Sequence, residues 1–331
     1  MVLKYFNLKQ EPFANTPDPR FLFRSATHHE ALERLTAAVS LRRGICAVVA
    51  EPGLGKSTII RTLLEGLNSQ VNFAWVFNTT LNPTELLRFI CRDFGLIPTG
   101  KDKADLLIEL YTFLVREYNN GRISLLIVDE AQNLSPEALE EIRLLSNLET
   151  KSHKLLQIIL SGQPQLDVYL KQPEMIQLRQ RIACQVNLAR LTPEESAAYI
   201  CHRLAAAGAK DVSWFTRGAM QRIGRLSEGI PRLINQMCDA AMTVAASEQR
   251  PRIEEALIDE LLQRGVIMAP RSKAPWPTTP QGAVIPKAAE PPVRTAAPRD
   301  EAPKAKPRKS IIWEKKDLFD AVDLTELLSV I

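Results

Sequence analysis

The segment Ala50-Glu51-Pro52-Gly53-Leu54-Gly55-Lys56-Ser57-Thr58 follows the apolar run Ile45 to Val49 and leads into a helical pattern. A strand, a glycine-rich turn and a helix in that order commit the chain to a β-to-α crossing of the kind found in parallel sheets, and they form a cradle for phosphate. Gly53 and Gly55 let the backbone turn tightly enough for successive N–H groups to point at one anion, and the start of a helix at Lys56 adds its positive dipole end. The Lys56 ammonium would reach the β and γ phosphates of a nucleotide, and the Ser57 hydroxyl would coordinate Mg²⁺. Glu51, Pro52, Gly53, Leu54, Gly55, Lys56, Ser57 and Thr58 are therefore the candidate ATP-binding residues. The first glycine usual in such loops is Ala50 here, at a position that closes the strand and adds little to the cradle.

A second motif supports the first. Ser124-Leu125-Leu126-Ile127-Val128 is an apolar strand that ends in the adjacent carboxylates Asp129 and Glu130. Asp129 would hold Mg²⁺ beside Ser57, and Glu130 would polarise an attacking water.

Around these motifs, residues 27–190 alternate strands with amphipathic helices. Strands are expected at Ile45 to Val49, Val71 to Phe77, Ser124 to Val128, Leu155 to Leu160 and Cys184 to Leu188, all short and aliphatic as buried parallel strands are. Helices are expected at Thr58 to Leu67, Pro83 to Phe94, Asp102 to Tyr118 and Pro136 to Asn147. The fold class is thus α/β, a five-stranded parallel sheet covered by helices. Residues 191–265 carry only helical patterns, at Trp214 to Leu226, Pro231 to Ser247 and Glu254 to Arg264, and predict a small all-α lid. Thr192-Pro193-Glu194-Glu195 opens it with a cap, a proline at the first helical position and a glutamate three residues after the cap. Residues 1–26, with Tyr5, Phe6, Phe13, Phe21 and Phe23 among prolines, read as an ordered arm that pins aromatic rings on a neighbouring surface.

Ten of the 22 prolines fall between Pro270 and Pro307. Residues 266–310 are accordingly expected to be a disordered Pro-rich linker. Residues 311–331, with Trp313, Leu318, Phe319, Val322 and Leu324, read as an amphipathic tail that docks on a partner.

The net charge of +4 commits the chain to neither nucleic acid nor membrane. Cys46, Cys91, Cys184, Cys201 and Cys238 include no C-x-x-C pair and are expected to be buried thiols in a reducing compartment. No segment approaches the roughly 18 apolar residues of a membrane span. Met1 to Phe13 has no apolar core of a signal peptide, which points to a cytoplasmic protein. His28 and His29 are expected to cap or solvate the first helix, His153 and His202 have no partner at ligand spacing, and Trp75 and Trp214 read as core.

The arm Tyr5-Phe6-Asn7-Leu8-Lys9-Gln10-Glu11-Pro12-Phe13, the following Thr16-Pro17-Asp18-Pro19-Arg20-Phe21, the phosphate loop and Val128-Asp129-Glu130-Ala131-Gln132-Asn133-Leu134 together resemble the general secretion pathway protein A (ExeA-like) AAA+ ATPases. The resemblance covers residues 1–265. It implies a γ-phosphate sensor at the end of the fourth strand, Gln163 with Ser161 as its rival. It also implies arginines at Arg179 or Arg181 that reach a neighbour's nucleotide, and a second sensor, Arg232, in Gly229-Ile230-Pro231-Arg232 at a lid helix start. With them come ATP-dependent self-association and a role in assembling bacterial envelope machinery, in which the cytoplasmic protein would reach the inner membrane through a partner. An alternative is a DNA-bound regulator similar to transposition target-selection proteins, with Lys304 to Lys309 and Arg217, Arg222 and Arg225 as candidate phosphate contacts.

Overall fold

Five aliphatic strands pair in parallel, and their order decides which loops meet. In the computed structural model, which describes residues 1–67, 70–77, 80–100 and 102–269, the strands are β1 (Ile45–Val49), β2 (Val71–Val76), β3 (Ile123–Val128), β4 (Leu156–Gly162) and β5 (Ile182–Asn187). They lie in the order β2-β3-β4-β1-β5. β1, β3 and β4 are buried along their whole length, as strands covered on both faces must be, and β2 and β5 form the half-exposed edges. Val49 pairs with Gly162 and Val128 with Leu160, so the carboxyl ends of the three central strands sit side by side. A parallel sheet offers its ligand crevice at that end, where the strand order reverses.

Before the sheet, the arm holds only the short helix α1 (Val2–Tyr5) and a single turn at Pro19–Phe21. Helices α2 (Ala26–Ser40) and α3 (Lys56–Leu67) cover one face. Helices α4 (Pro83–Asp93), α5 (Lys103–Asn119), α6 (Pro136–Leu145), α7 (Pro164–Leu170) and α8 (Ile176–Gln180) cover the other. Strand alternation divides the core between them. Cys46, Val48, Leu125 and Ile127 pack with Leu35, Ile59 and Ile60, while Val49, Leu126 and Val128 pack with Leu86, Leu110 and Ile142.

The remaining helices are α9 (Pro193–Ala206), α10 (Arg217–Ser227), α11 (Pro231–Ser247) and α12 (Glu255–Gln263). At the start of α9 the Thr192 side chain accepts from Glu195 N–H and the Glu195 side chain accepts from Thr192 N–H, the reciprocal cap expected there. The helices share a third apolar cluster with the arm, whose Phe6, Phe13 and Phe21 are buried. Phe6 meets Trp214 edge-on at 4.9 Å, and Phe23 meets Tyr199 at 5.8 Å. Backbone ties complete the attachment: Lys9 N–H donates to the Ala207 carbonyl at 3.0 Å.

Several boundaries move for visible reasons. β4 runs two residues further than expected, because Ser161 and Gly162 continue the ladder with β1. α10 starts at Arg217, not Trp214, because Thr216 caps it and Trp214 instead receives the N–H of Ile253 at 2.7 Å. Trp75 and Trp214 are half-buried rather than core. Ile267 is buried in the third cluster, so packed chain extends past Gly265. The remainder of the expected linker, the tail and Lys304 to Lys309 lie outside the described residues. Among the described residues, no helix is long and apolar enough to cross a membrane. The five cysteines are free thiols, four of them buried and Cys201 half-buried.

Candidate functional site

The loop after β1 is held from three sides. Ala50 N–H extends the ladder to the Gly162 carbonyl at 3.1 Å. Leu54 is buried in the core and fixes the middle of the loop. Gly53 and Gly55 take the left-handed φ values of 85° and 94° that favour glycine. Lys56 opens α3 almost fully buried, and its ammonium donates to the Ala50 carbonyl at 3.1 Å. Its charge reaches the Glu130 carboxyl, the acidic group that faces the same cavity.

His28 supplies the third support. Its Nε2 lies 2.8 Å from the Leu54 carbonyl and its Nδ1 2.7 Å from Ser25 Oγ. A carbonyl only accepts, so Nε2 carries the proton and Nδ1 accepts from the Ser25 hydroxyl. The ring is neutral, and burial holds its pKa below the ordinary value. His28 is therefore a brace for the loop, not a solvated cap. The signal was its place on the buried stripe His28, Ala31, Leu35, Ala38. His29 does stay at the surface, beside Glu33.

The acidic pair follows β3. Asp129 Oδ1 accepts from Ser161 Oγ at 2.8 Å and from Glu130 N–H at 3.0 Å. Glu130 has a left-handed backbone, and its Oε2 accepts from Gln132 Nε2 at 2.6 Å and from Gln163 Nε2 at 2.9 Å. Burial pushes the Glu130 carboxyl up, but the two amides and the Lys56 charge outweigh it and hold it below its ordinary value.

A cavity of about 420 Å³ lies over the loop. Residues 52–58 and Glu130 form its floor, Pro231 and Arg232 of α11 one wall, and arm residues 14–18 and 21–23 another. Arg232 N–H donates to the Gly53 carbonyl at 3.3 Å, and a Cβ on Gly53 would come within 2.7 Å of Arg232 Cβ. Arg203 of α9, buried at the cavity edge, donates Nη2–H to the Ala14 carbonyl at 2.8 Å and a second N–H to the Pro12 carbonyl. Its guanidinium also stacks 4.4 Å above the Phe21 ring.

Against known proteins, residues 40–170 match the AAA domain family. General secretion pathway protein A of Aeromonas hydrophila is 41% identical over 247 residues, which is 74% of this chain and 45% of that protein. The chain thus carries an AAA domain and is related along about three quarters of its length to general secretion pathway protein A. It spans less than half the length of that relative. Among solved structures, the Aeropyrum pernix ORC2 protein in its ADPNP–ADP complexes superposes with a TM-score of 0.60 at 18% identity, covering 77% of this chain and 71% of that one. Cdc6p from Pyrobaculum aerophilum gives 0.58 at 19% identity, covering 73% and 67%. At such identities these two speak for the fold alone: a five-stranded parallel AAA+ sheet with helices around it.

The site residues expected of this family fall into three groups. Pro52, Gly53, Leu54, Gly55, Lys56, Ser57, Thr58, Glu130 and Arg232 line the one cavity. Asp129 and Gln163 stand just behind it, each hydrogen-bonded to Glu130. Glu51 is turned away, its carboxylate paired with Arg190 at 2.6 Å, and Arg190 also pairs with Glu228. Only the backbone of Glu51 remains for a ligand. Arg179 is exposed on α8, and Arg181 is hydrogen-bonded to Asn147, so neither enters the cavity of its own chain.

The donor set suits Mg²⁺. Ser57 and Asp129 offer hard oxygen ligands, and among the described residues no cluster of three or more His, Cys, Asp or Glu could cage a metal alone. A cation that keeps its waters and takes phosphate oxygens needs no such cage.

Proposed function

We propose that this chain binds ATP with Mg²⁺ and hydrolyses it to ADP and phosphate, acting as a nucleotide-gated switch. The observation that carries this is the convergence of the buried Lys56 ammonium, the left-handed glycines and the Glu130 carboxylate on one cavity. The loop N–H groups and Lys56 would bind the β and γ phosphates, while the arm and lid enclose the rest of the nucleotide. Ser57 and Asp129 would hold Mg²⁺, which when bound neutralises phosphate charge. Glu130 accepts a proton from a water whose oxygen bonds to the γ phosphorus. The bond to the bridging oxygen breaks as this happens, and its electron pair leaves with ADP. Gln163, whose amide donates to Glu130, steadies the carboxylate beside that water, and Arg232 answers to the γ phosphate from α11. Arg179 or Arg181, free of their own cavity, would act on a neighbour's nucleotide in an ATP-dependent oligomer.

Loss of the γ phosphate would release Arg232 and let the lid turn, changing how subunits meet. The relation to general secretion pathway protein A supports a role in assembling or remodelling envelope machinery, with a protein client taken by the C-terminal tail. The alternative of a DNA-bound regulator has weaker support, because Arg222 is paired with Asp259 at 2.7 Å. Wild type and Glu130→Gln decide the enzymatic reading. Hydrolysis should fall by orders of magnitude in the variant while magnesium-nucleotide binding survives, and equal turnover in both would reject it.

A further inference from the structure

We infer that Gln132 is a positioning residue for the hydrolytic base: its amide holds one oxygen of Glu130 and leaves the other to take the proton. The inference rests on the ATPase reading above and adds to it a residue and a division of labour between the two carboxylate oxygens.

The geometry is a closed ring of three residues, two of its bonds between side chains and the third from the Gln163 backbone. Gln132 Nε2–H donates to Glu130 Oε2 at 2.6 Å, and Gln163 Nε2–H donates to the same oxygen at 2.9 Å. Gln132 Oε1 in turn accepts the backbone N–H of Gln163 at 3.0 Å. Both ends of the Gln132 amide are thus committed, which fixes its flip; an ionised carboxylate could make only the accepting bond and an ammonium only the donating one. The room for it comes from Gly162, where a Cβ would lie 2.8 Å from Gln132 Oε1.

Two donors on Oε2 leave Oε1 with no hydrogen-bond partner among the described residues, and Glu130 lines the cavity. Oε1 is therefore the basic oxygen. Glu130 stands at a φ of 49°, a conformation costly to a residue with a side chain. The two amides keep that side chain from swinging out of line. Gln163 was expected from family likeness to orient water, and its side-chain amide is directed at the carboxylate. Gln132 was expected only as part of a motif.

Removing the Gln132 donor frees the Glu130 side chain to turn and takes Oε1 out of line with the water it must deprotonate.

The test compares full-length wild type, Gln132→Ala, Gln132→Glu and the neighbouring exposed Asn133→Ala in steady-state ATP hydrolysis, with fluorescent-ATP binding alongside. Gln132→Glu keeps the acceptor for Gln163 N–H and loses the donor to Glu130. It therefore separates loop bracing from base positioning. Both Gln132 variants should lose about tenfold or more in kcat with little change in nucleotide affinity. Asn133→Ala should match wild type. A Gln132→Glu enzyme with wild-type kcat overturns the inference while the ATPase reading stands. Wild type without Glu130-dependent turnover overturns the ATPase reading and this inference together.

Discussion

Replacing His28 by alanine tests how far the phosphate loop depends on support from beneath. The imidazole is buried and makes two hydrogen bonds, to the Leu54 carbonyl at 2.8 Å and from Ser25 Oγ at 2.7 Å. Its removal strands the Leu54 carbonyl and leaves the buried Ser25 hydroxyl only a long contact with Thr27 Oγ1 at 3.4 Å, at about 1–3 kcal/mol for each group left unsatisfied. With partial relief from entering water, a loss of about 2–4 kcal/mol in stability is expected. The Leu54 peptide would also lose its fixed orientation just where the loop N–H groups must converge. If one such bond supports the bound geometry, ATP affinity falls by about 1–3 kcal/mol, or roughly 5- to 150-fold. His28→Gln, whose amide can still donate to Leu54, should recover most of both.

The same histidine gives stability a pH dependence of known sign. Burial holds its folded pKa below the ordinary 6.5, so the unfolded imidazole binds a proton at a pH where the folded one does not. The stabilisation is complete above the ordinary value and is lost as pH falls through the lowered one. His202, also depressed by burial, adds to that slope and would persist in His28→Gln. Urea unfolding between pH 5 and 8 and nucleotide titration measure both effects. A His28→Ala protein with wild-type midpoint, affinity and acid slope would refute the reasoning.

Gly53→Ala should weaken ATP binding by at least about tenfold in equilibrium titration, because the loop needs the left-handed φ of 85° and Arg232 Cβ would lie 2.7 Å from the new methyl. Arg203→Lys cannot keep both arm carbonyls and should lose about 1.5–3 kcal/mol in denaturant unfolding, with faster proteolysis of the arm. Phe6→Ala should cost about 3–5 kcal/mol by the same unfolding assay, since the ring is buried against Trp214.

The sheet and the heart of the site were legible because their signals are local. Gly53, Gly55, Lys56 and the Asp129-Glu130 pair each sit where a strand ends, and such a junction is written in neighbouring residues. The Thr192 cap was legible for the same reason. What sequence reading missed depends on pairs far apart in the chain. His28 meets Leu54, Arg203 meets Pro12 and Ala14, and Gln132 meets Gln163, and in each case the partner is supplied only by the fold. Glu51 erred in the opposite direction: motif membership suggested a ligand contact, and Arg190 claims its side chain. The arm was foreseen as aromatic anchoring, but that it also walls the cavity follows from where α9 and α11 stand.

The placement of Phe6 and Phe13 inside the cluster of α9 to α12 has a consequence for synthesis. A ribosome releases Phe6 and Phe13 long before it has made Trp214, Phe215 and Ile258, so the arm must wait, unburied, for more than two hundred further residues. The nascent sheet can settle in that interval, whereas the chamber above it closes only when the arm and helices α9 to α12 find each other.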